Sequence, residues 1–235
     1  PMVSLGIALM ISTVLSMVLE FYTRSLVSRT YGLDAVGIYQ AAWSLSGMFA
    51  GFVLTAMGTD FYPRLTAVID DRVAAIREIN EQTEIGVLLA LPGLLVTLAL
   101  AKWIVWAMYS AAFAPAANVL VWMSLGVFGR VVSWPLGYVQ LALNTGKWYA
   151  ATEFFFIALQ AALVTWMVPR FGVVGAAYAF FGCYASYFVG MSLVTRRLIG
   201  CRHSPGARRL ILIATLLMLV TMAVSRLLPD LPAAI

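Results

Sequence analysis

The chain has 235 residues, of which 63% are hydrophobic and only 11% charged, and its mean hydropathy is +0.93. Soluble domains average about 45–50% apolar and about 25% charged residues, so this composition excludes a water-soluble core and reads as an all-α polytopic membrane bundle. The net charge of +5 would suit a nucleic-acid partner, but the basic residues follow membrane topology rather than forming one aromatic-laced face, which argues against nucleic acid.

The first apolar run, Val3 to Leu26, is uninterrupted until Glu20 and Arg24, an i,i+4 pair with the acid on the N-terminal side. A glycine-bearing turn at 31–36 leads into a second span. Val36 to Thr59 holds no charged residue; at ~1.5 Å per residue this gives ~36 Å of helix, enough to cross a ~30 Å hydrocarbon core with some tilt. Small residues recur along it at helical spacing, Ala42, Ser46 and Ala50 on one line and Gly47 and Gly51 on the next, where backbones can approach closely. The span is expected to stop at Asp60, with a Phe61-Tyr62-Pro63-Arg64 corner launching an amphipathic connector over 60–84 that lies at the membrane surface or, as its mixed charge equally suits, packs against the bundle. A third span, Ile85 to Met108, contains Pro92, where a kink is expected, and Lys102, expected to snorkel between Trp103 and Trp106. The fourth, Val119 to Leu143, has Arg130 near its centre and Pro135 beyond. The fifth, Trp148 to Val168, carries Glu153 and Gln160. The sixth, Val173 to Val194, has a small-residue line of Gly182, Ser186 and Gly190. A basic loop from Arg196 to Arg209 precedes a seventh span, Leu210 to Leu228.

Connectors on one side hold Arg64, Arg72, Arg77, Lys147, Arg196, Arg197, Arg202, Arg208 and Arg209, against Arg29, Arg170 and Arg226 on the other. The first side is therefore expected to be cytoplasmic. Cys183 and Cys201 form no paired framework, so no disulfide is expected. No signal peptide is visible, and a chain that opens on Pro1 reads as a fragment lacking its N-terminal portion. The turns Tyr31-Gly32 and Phe171-Gly172 echo one another, each followed by a glycine and a tyrosine, the kind of echo left by internal repeats.

Arg130 is the first candidate for function. A charge at mid-depth costs at least ~2.5–3.5 kcal/mol on insertion scales and usually faces a cavity or a partner. A guanidinium in a wet chamber suits a phosphate or pyrophosphate, which it grips with two parallel hydrogen bonds; the competing reading is a structural bond to a helix carbonyl or to Glu20. Arg24 is a second pyrophosphate candidate and Glu20 an ion-coupling candidate, unless the two simply neutralise each other. Gln140 and Gln160 are candidates for contact with sugar hydroxyls, although interhelical bonding is the commoner role. Glu153, close to the cytoplasmic edge, is expected to be a solvated acid. No catalytic residue, metal site or cofactor is expected: the single histidine, His203, lies in the basic loop, and no zincin, Walker A or nucleophile-elbow pattern occurs.

The stretch Val36-Gly37-Ile38-Tyr39-Gln40-Ala41-Ala42-Trp43-Ser44-Leu45-Ser46, followed by Phe61-Tyr62-Pro63-Arg64-Leu65, resembles the O-antigen, or polysaccharide repeat-unit, translocases of the multidrug, oligosaccharidyl-lipid and polysaccharide exporter superfamily. Trp134-Pro135-Leu136-Gly137-Tyr138 and Phe171-Gly172 with Gly175-Ala176-Ala177 fit the same pattern, and the likeness covers most of 20–195. The resemblance implies one lobe of a two-lobe exporter: residues 1–200 as a six-helix C-terminal lobe, 201–235 as a basic loop with an additional helix, and the N-terminal lobe missing. It also implies a multi-pass protein of the bacterial inner membrane, not an enzyme, that moves undecaprenyl-pyrophosphate-linked oligosaccharide by alternating access, with membrane lipids and the missing lobe as its partners. Two other readings remain. One is a multidrug or lipid-precursor exporter of the same superfamily. The other is a membrane-embedded glycan polymerase or ligase, which the short outside connectors disfavour.

Overall fold

A computed structural model describes residues 2–227. Leu228, the last residue of the predicted seventh span, and the tail to residue 235 lie outside the described residues, as does Pro1. Seven helices follow in order: α1 (Met2–Tyr31), α2 (Leu33–Val68), α3 (Arg72–Met108), α4 (Ala116–Ala142), α5 (Gly146–Phe171), α6 (Val174–Ile199) and α7 (Pro205–Ser225), with a short 3-10 turn at Ala111–Phe113 before α4. All seven are long and apolar enough to cross a membrane, so the chain is a multi-pass, all-helical bundle. A helix meets the demand of lipid, where no water satisfies backbone N–H and C=O groups, by pairing all of them within its own segment.

Alternating direction is written into the side-chain register. Ser12 meets Glu153 and Tyr22 meets Thr165, so α1 and α5 run parallel. Gly126, Gly129 and Gly137 approach Phe180, Tyr184 and Tyr187 in turn, so α4 and α6 also run parallel. In contrast, Glu153 meets Tyr187 while Phe156 meets Gly190 and Leu163 meets Gly182, an antiparallel α5–α6 pair. Helices α1, α2, α4, α6 and α5 each touch the next, and α5 touches α1 again, closing a five-helix ring. Helix α3 braces α2 and α4 from outside the ring, and α7 lies against α3.

Three expectations need correction. The chain does not turn at Asp60–Arg64, and 60–84 is not a separate surface helix. Helix α2 runs through Pro63 to Val68, and α3 starts at Arg72. Phe61 and Leu65 are fully buried on either side of the proline. Arg64 pairs with Asp60 at 2.9 Å and reaches across to Glu78 at 2.7 Å and Gln82 at 3.1 Å, zipping α2 to α3. The turn falls instead where Asp71 accepts the amides of Val73 and Ala74, an N-cap worth ~1 kcal/mol. Second, the residue with non-helical torsions inside α3 is Leu100, two turns beyond Pro92. Third, the basic loop shrinks to residues 200–204, because Arg196 and Arg197 sit in the last turn of α6 and Arg208 and Arg209 near the start of α7.

The two small-residue lines of α2 part company. Ala42, Ser46 and Ala50 are buried, whereas nothing among the described residues comes within 4 Å of a Cβ built on Gly47 or Gly51. The echoed turns do share a device. Gly32 and Gly172 both adopt positive φ, 85° and 70°, a region that glycine enters without steric cost. Each amide also bonds back one turn, to Ser28 at 2.9 Å and Val168 at 3.0 Å.

Cys183 and Cys201 are both free and buried. Burial disfavours the thiolate and pushes Cys201 up to about 11. Its alkylation in folded protein is therefore expected to be slow near neutrality and to climb about tenfold per pH unit well past the point where an exposed thiol levels off. A rate that plateaus with the ordinary thiol pKa would show that the 200–204 turn is open rather than packed.

Candidate functional site

The five-helix ring lines a half-open chamber of about 470 Å³. Every helix of the ring contributes a wall, and Arg130, Glu20, Glu153 and Gln160 all face it. Arg130 reaches it from near the midpoint of α4, the helix with the largest buried share. Its guanidinium lies over the Tyr184 ring at 5.9 Å, a cation–π contact. Among the described residues no carboxylate stands within ion-pairing distance of it. A cation held this way keeps its five N–H donors largely uncommitted, the condition for gripping an incoming anion.

Much of the remaining wall is aromatic. Trp134 and Tyr138 lie 4.2 Å apart between ring centres on α4, Tyr39 stacks on Trp43 on α2, and Phe156 packs against Tyr187 at 4.6 Å. Such a surface offers apolar faces with polar tips. Trp134 and Tyr138 depend on Gly58 of α2, whose Cβ, if present, would sit 3.2 Å from the Trp134 ring.

The remaining candidates divide. Glu20 lines the chamber and pairs with Arg24, but Arg24 itself does not line it. Gln160 lines it. Gln140 does not: it is 1% exposed, its side-chain oxygen accepts from Thr152 at 2.9 Å, and its backbone oxygen accepts from Thr145 at the α4–α5 turn. Gln140 thus holds that turn, the interhelical role weighed against sugar contact. Glu153 is the residue that sequence reasoning underrated. Instead of facing solvent, it accepts hydrogen bonds from Tyr187 at 2.9 Å and Ser12 at 3.2 Å, joining α5 to α6 and α1 inside the chamber. The signal that could have found it is the acid's place two turns inside a span, on the same helical face as Phe156 and Gln160. Trp103 and Trp106, flanking the predicted snorkelling of Lys102, are exposed as an interfacial pair would be.

A mixed chamber of this kind can bind an amphipathic anion: Arg130 for negative charge, aromatic faces for sugar or other ring surfaces, and two acids that can exchange protons or cations. Comparison with known proteins narrows the class. The chain is 26% identical over 182 residues to the lipid III flippases of Escherichia coli (strain K12) and Shigella flexneri, a match covering 74% of this chain. The chain spans 42% of the length of these relatives. No solved structure matches it significantly. The family described as polysaccharide biosynthesis protein matches residues 1–118, half of the sequence and all of α1 to α3, and this chain belongs to that family.

Proposed function

We propose that the chain is one lobe of a flippase that carries an undecaprenyl-pyrophosphate-linked oligosaccharide, an O-antigen or related repeat unit, across the bacterial inner membrane. The observation that carries this reading is an arginine near the middle of α4, free of any ion pair among the described residues, facing an aromatic and acidic chamber. Its support from outside the structure is the family match and the likeness to lipid III flippases. Arg130 grips the pyrophosphate, Gln160 and the aromatic walls meet the glycan, and the polyprenyl tail stays in the bilayer. Glu20 acts as the coupling acid: it lines the chamber, where taking up a proton removes one negative charge facing the substrate. Transport proceeds by alternating access against a second lobe, with Pro135 in α4 and the Leu100 break in α3 as places where spans can bend.

Reconstitution of the intact protein in vesicles tests the assignment. A fluorescent polyprenyl-pyrophosphate oligosaccharide should change leaflet faster than in protein-free vesicles, and the rate should respond to an imposed pH gradient. If the labelled lipid moves no faster with protein present, the flippase reading fails. A rate indifferent to the gradient removes Glu20 as coupling acid.

A further inference from the structure

At the basic end of the bundle, away from the chamber, lies a second recess of about 410 Å³ between α6, the 200–204 turn and the start of α7. Arg196, Arg202, Arg208 and His203 surround it, and no carboxylate lines it. None of these arginines forms an ion pair among the described residues. Three like charges around one recess repel one another, so the arrangement favours an anion between them. His203 stacks on Phe188 at 5.5 Å, with both ring nitrogens buried and without a hydrogen-bond partner. Burial, then the charge of Arg208, hold the imidazole below its usual pKa, so at neutral pH it is an uncharged ring with one N–H to donate.

The recess is built rather than incidental. Asn80 of α3 fastens the turn, accepting the Ser204 amide at 2.7 Å and donating to the Arg202 carbonyl at 3.4 Å. Ser204 caps α7 through the Ala207 amide at 2.9 Å and donates to Glu84 at 3.2 Å, which places that acid at the helix start rather than in the recess. The other half of the recess is apolar and faces outward. Val189 and Leu193 are 58% and 56% exposed and share one face of α6 with Arg196, at i, i+4 and i+7. An anion carrying an acyl chain would lay the chain along Val189 and Leu193 and bring its charge to the arginines. A free inorganic anion would leave that apolar face unused.

We propose that this recess binds the phosphodiester headgroup of an anionic phospholipid from the leaflet at the basic end of the bundle, held by Arg196, Arg202, Arg208 and His203. The site is separate from the transport chamber and does not depend on the transport reading. Basic pockets between membrane helices bind such headgroups through the same charge pairing.

Native mass spectrometry of the intact protein, released from micelles containing phosphatidylglycerol and phosphatidylcholine in equal amounts, tests it. Phosphatidylglycerol should be retained preferentially. Arg196→Gln with Arg208→Gln should weaken retention by about tenfold or more, since each basic residue near a lipid surface contributes ~1 kcal/mol. The corresponding Lys pair should keep most of it. A second measurement needs no variant: spin-labelled phosphatidylglycerol should be motionally restricted beside the protein more than spin-labelled phosphatidylcholine, and the difference should fall as salt rises. Equal retention of the two lipids, or retention unaffected by the Gln pair, overturns the proposal. Displacement of the lipid by millimolar inorganic phosphate also overturns it, because the recess would then be a site for a free anion.

Discussion

Arg130→Ala in the intact protein is expected to abolish surface polysaccharide while leaving expression and membrane insertion unchanged. A guanidinium that grips a pyrophosphate contributes two charge-assisted hydrogen bonds, each worth ~1.5–3 kcal/mol, so losing both should slow transport by about a hundredfold or more. Arg130→Lys should recover only part of this, because an ammonium keeps the charge but not the planar fork. The rival account is that Arg130 merely balances the acids of the chamber, Glu153 and Glu20. The double variant Arg130→Ala with Glu153→Gln separates the two accounts. If charge balance were the whole role, removing both members would restore transport. A binding role predicts that the double variant stays inactive, so recovery in that strain would remove Arg130 from the binding machinery.

Gly175→Ala is expected to be the most damaging single methyl in the bundle. A Cβ there would collide with the Met167 carbonyl oxygen and lie 2.6 Å from the Met167 carbonyl carbon and 2.9 Å from the Val168 nitrogen. These are backbone atoms in the last turns of α5, so no rotamer change relieves the overlap. Overpacking of this kind costs ~3 kcal/mol, and here it would push apart the α5 and α6 walls on which Glu153 and Tyr187 meet. The expected result is a clear loss of thermal stability in detergent and of folded yield. Gly182→Ala is the control, because its nearest neighbour would be the Leu163 methyl at an ordinary 3.7 Å. Equal stability of the two variants would show that the α5–α6 turn is looser than described.

Much of the architecture could be read from the chain without coordinates. Long uncharged stretches such as Val36–Thr59 leave no alternative to a spanning helix, because lipid supplies no partner for backbone polar groups. The sites of chain reversal at Gly32 and Gly172 were legible for an equally local reason: only glycine sits there at positive φ without strain. The place of Arg130 near the middle of α4 followed from counting residues along the span.

What the sequence could not decide was everything that depends on a neighbour. Pro63 is a local helix-breaking signal, yet α2 continues through it, because Phe61 and Leu65 are packed on both sides and Arg64 is tied to α3. Gly47 and Gly51 have the spacing of a packing seam but face outward, while the adjacent Ala42–Ala50 line is the buried one. Gln140 and Gln160 read as equivalent polar residues, and the ring sends one into a turn and the other into the chamber. Glu153 looked like a solvated acid until Tyr187 and Ser12, distant in sequence, closed over it. The number of spans is a sum over consecutive residues, so the sequence alone determined it, whereas the ends of α2 and α3 were set by packing. Which face of each helix looks inward is set by contacts between residues far apart in the chain, and only the tertiary structure decided that.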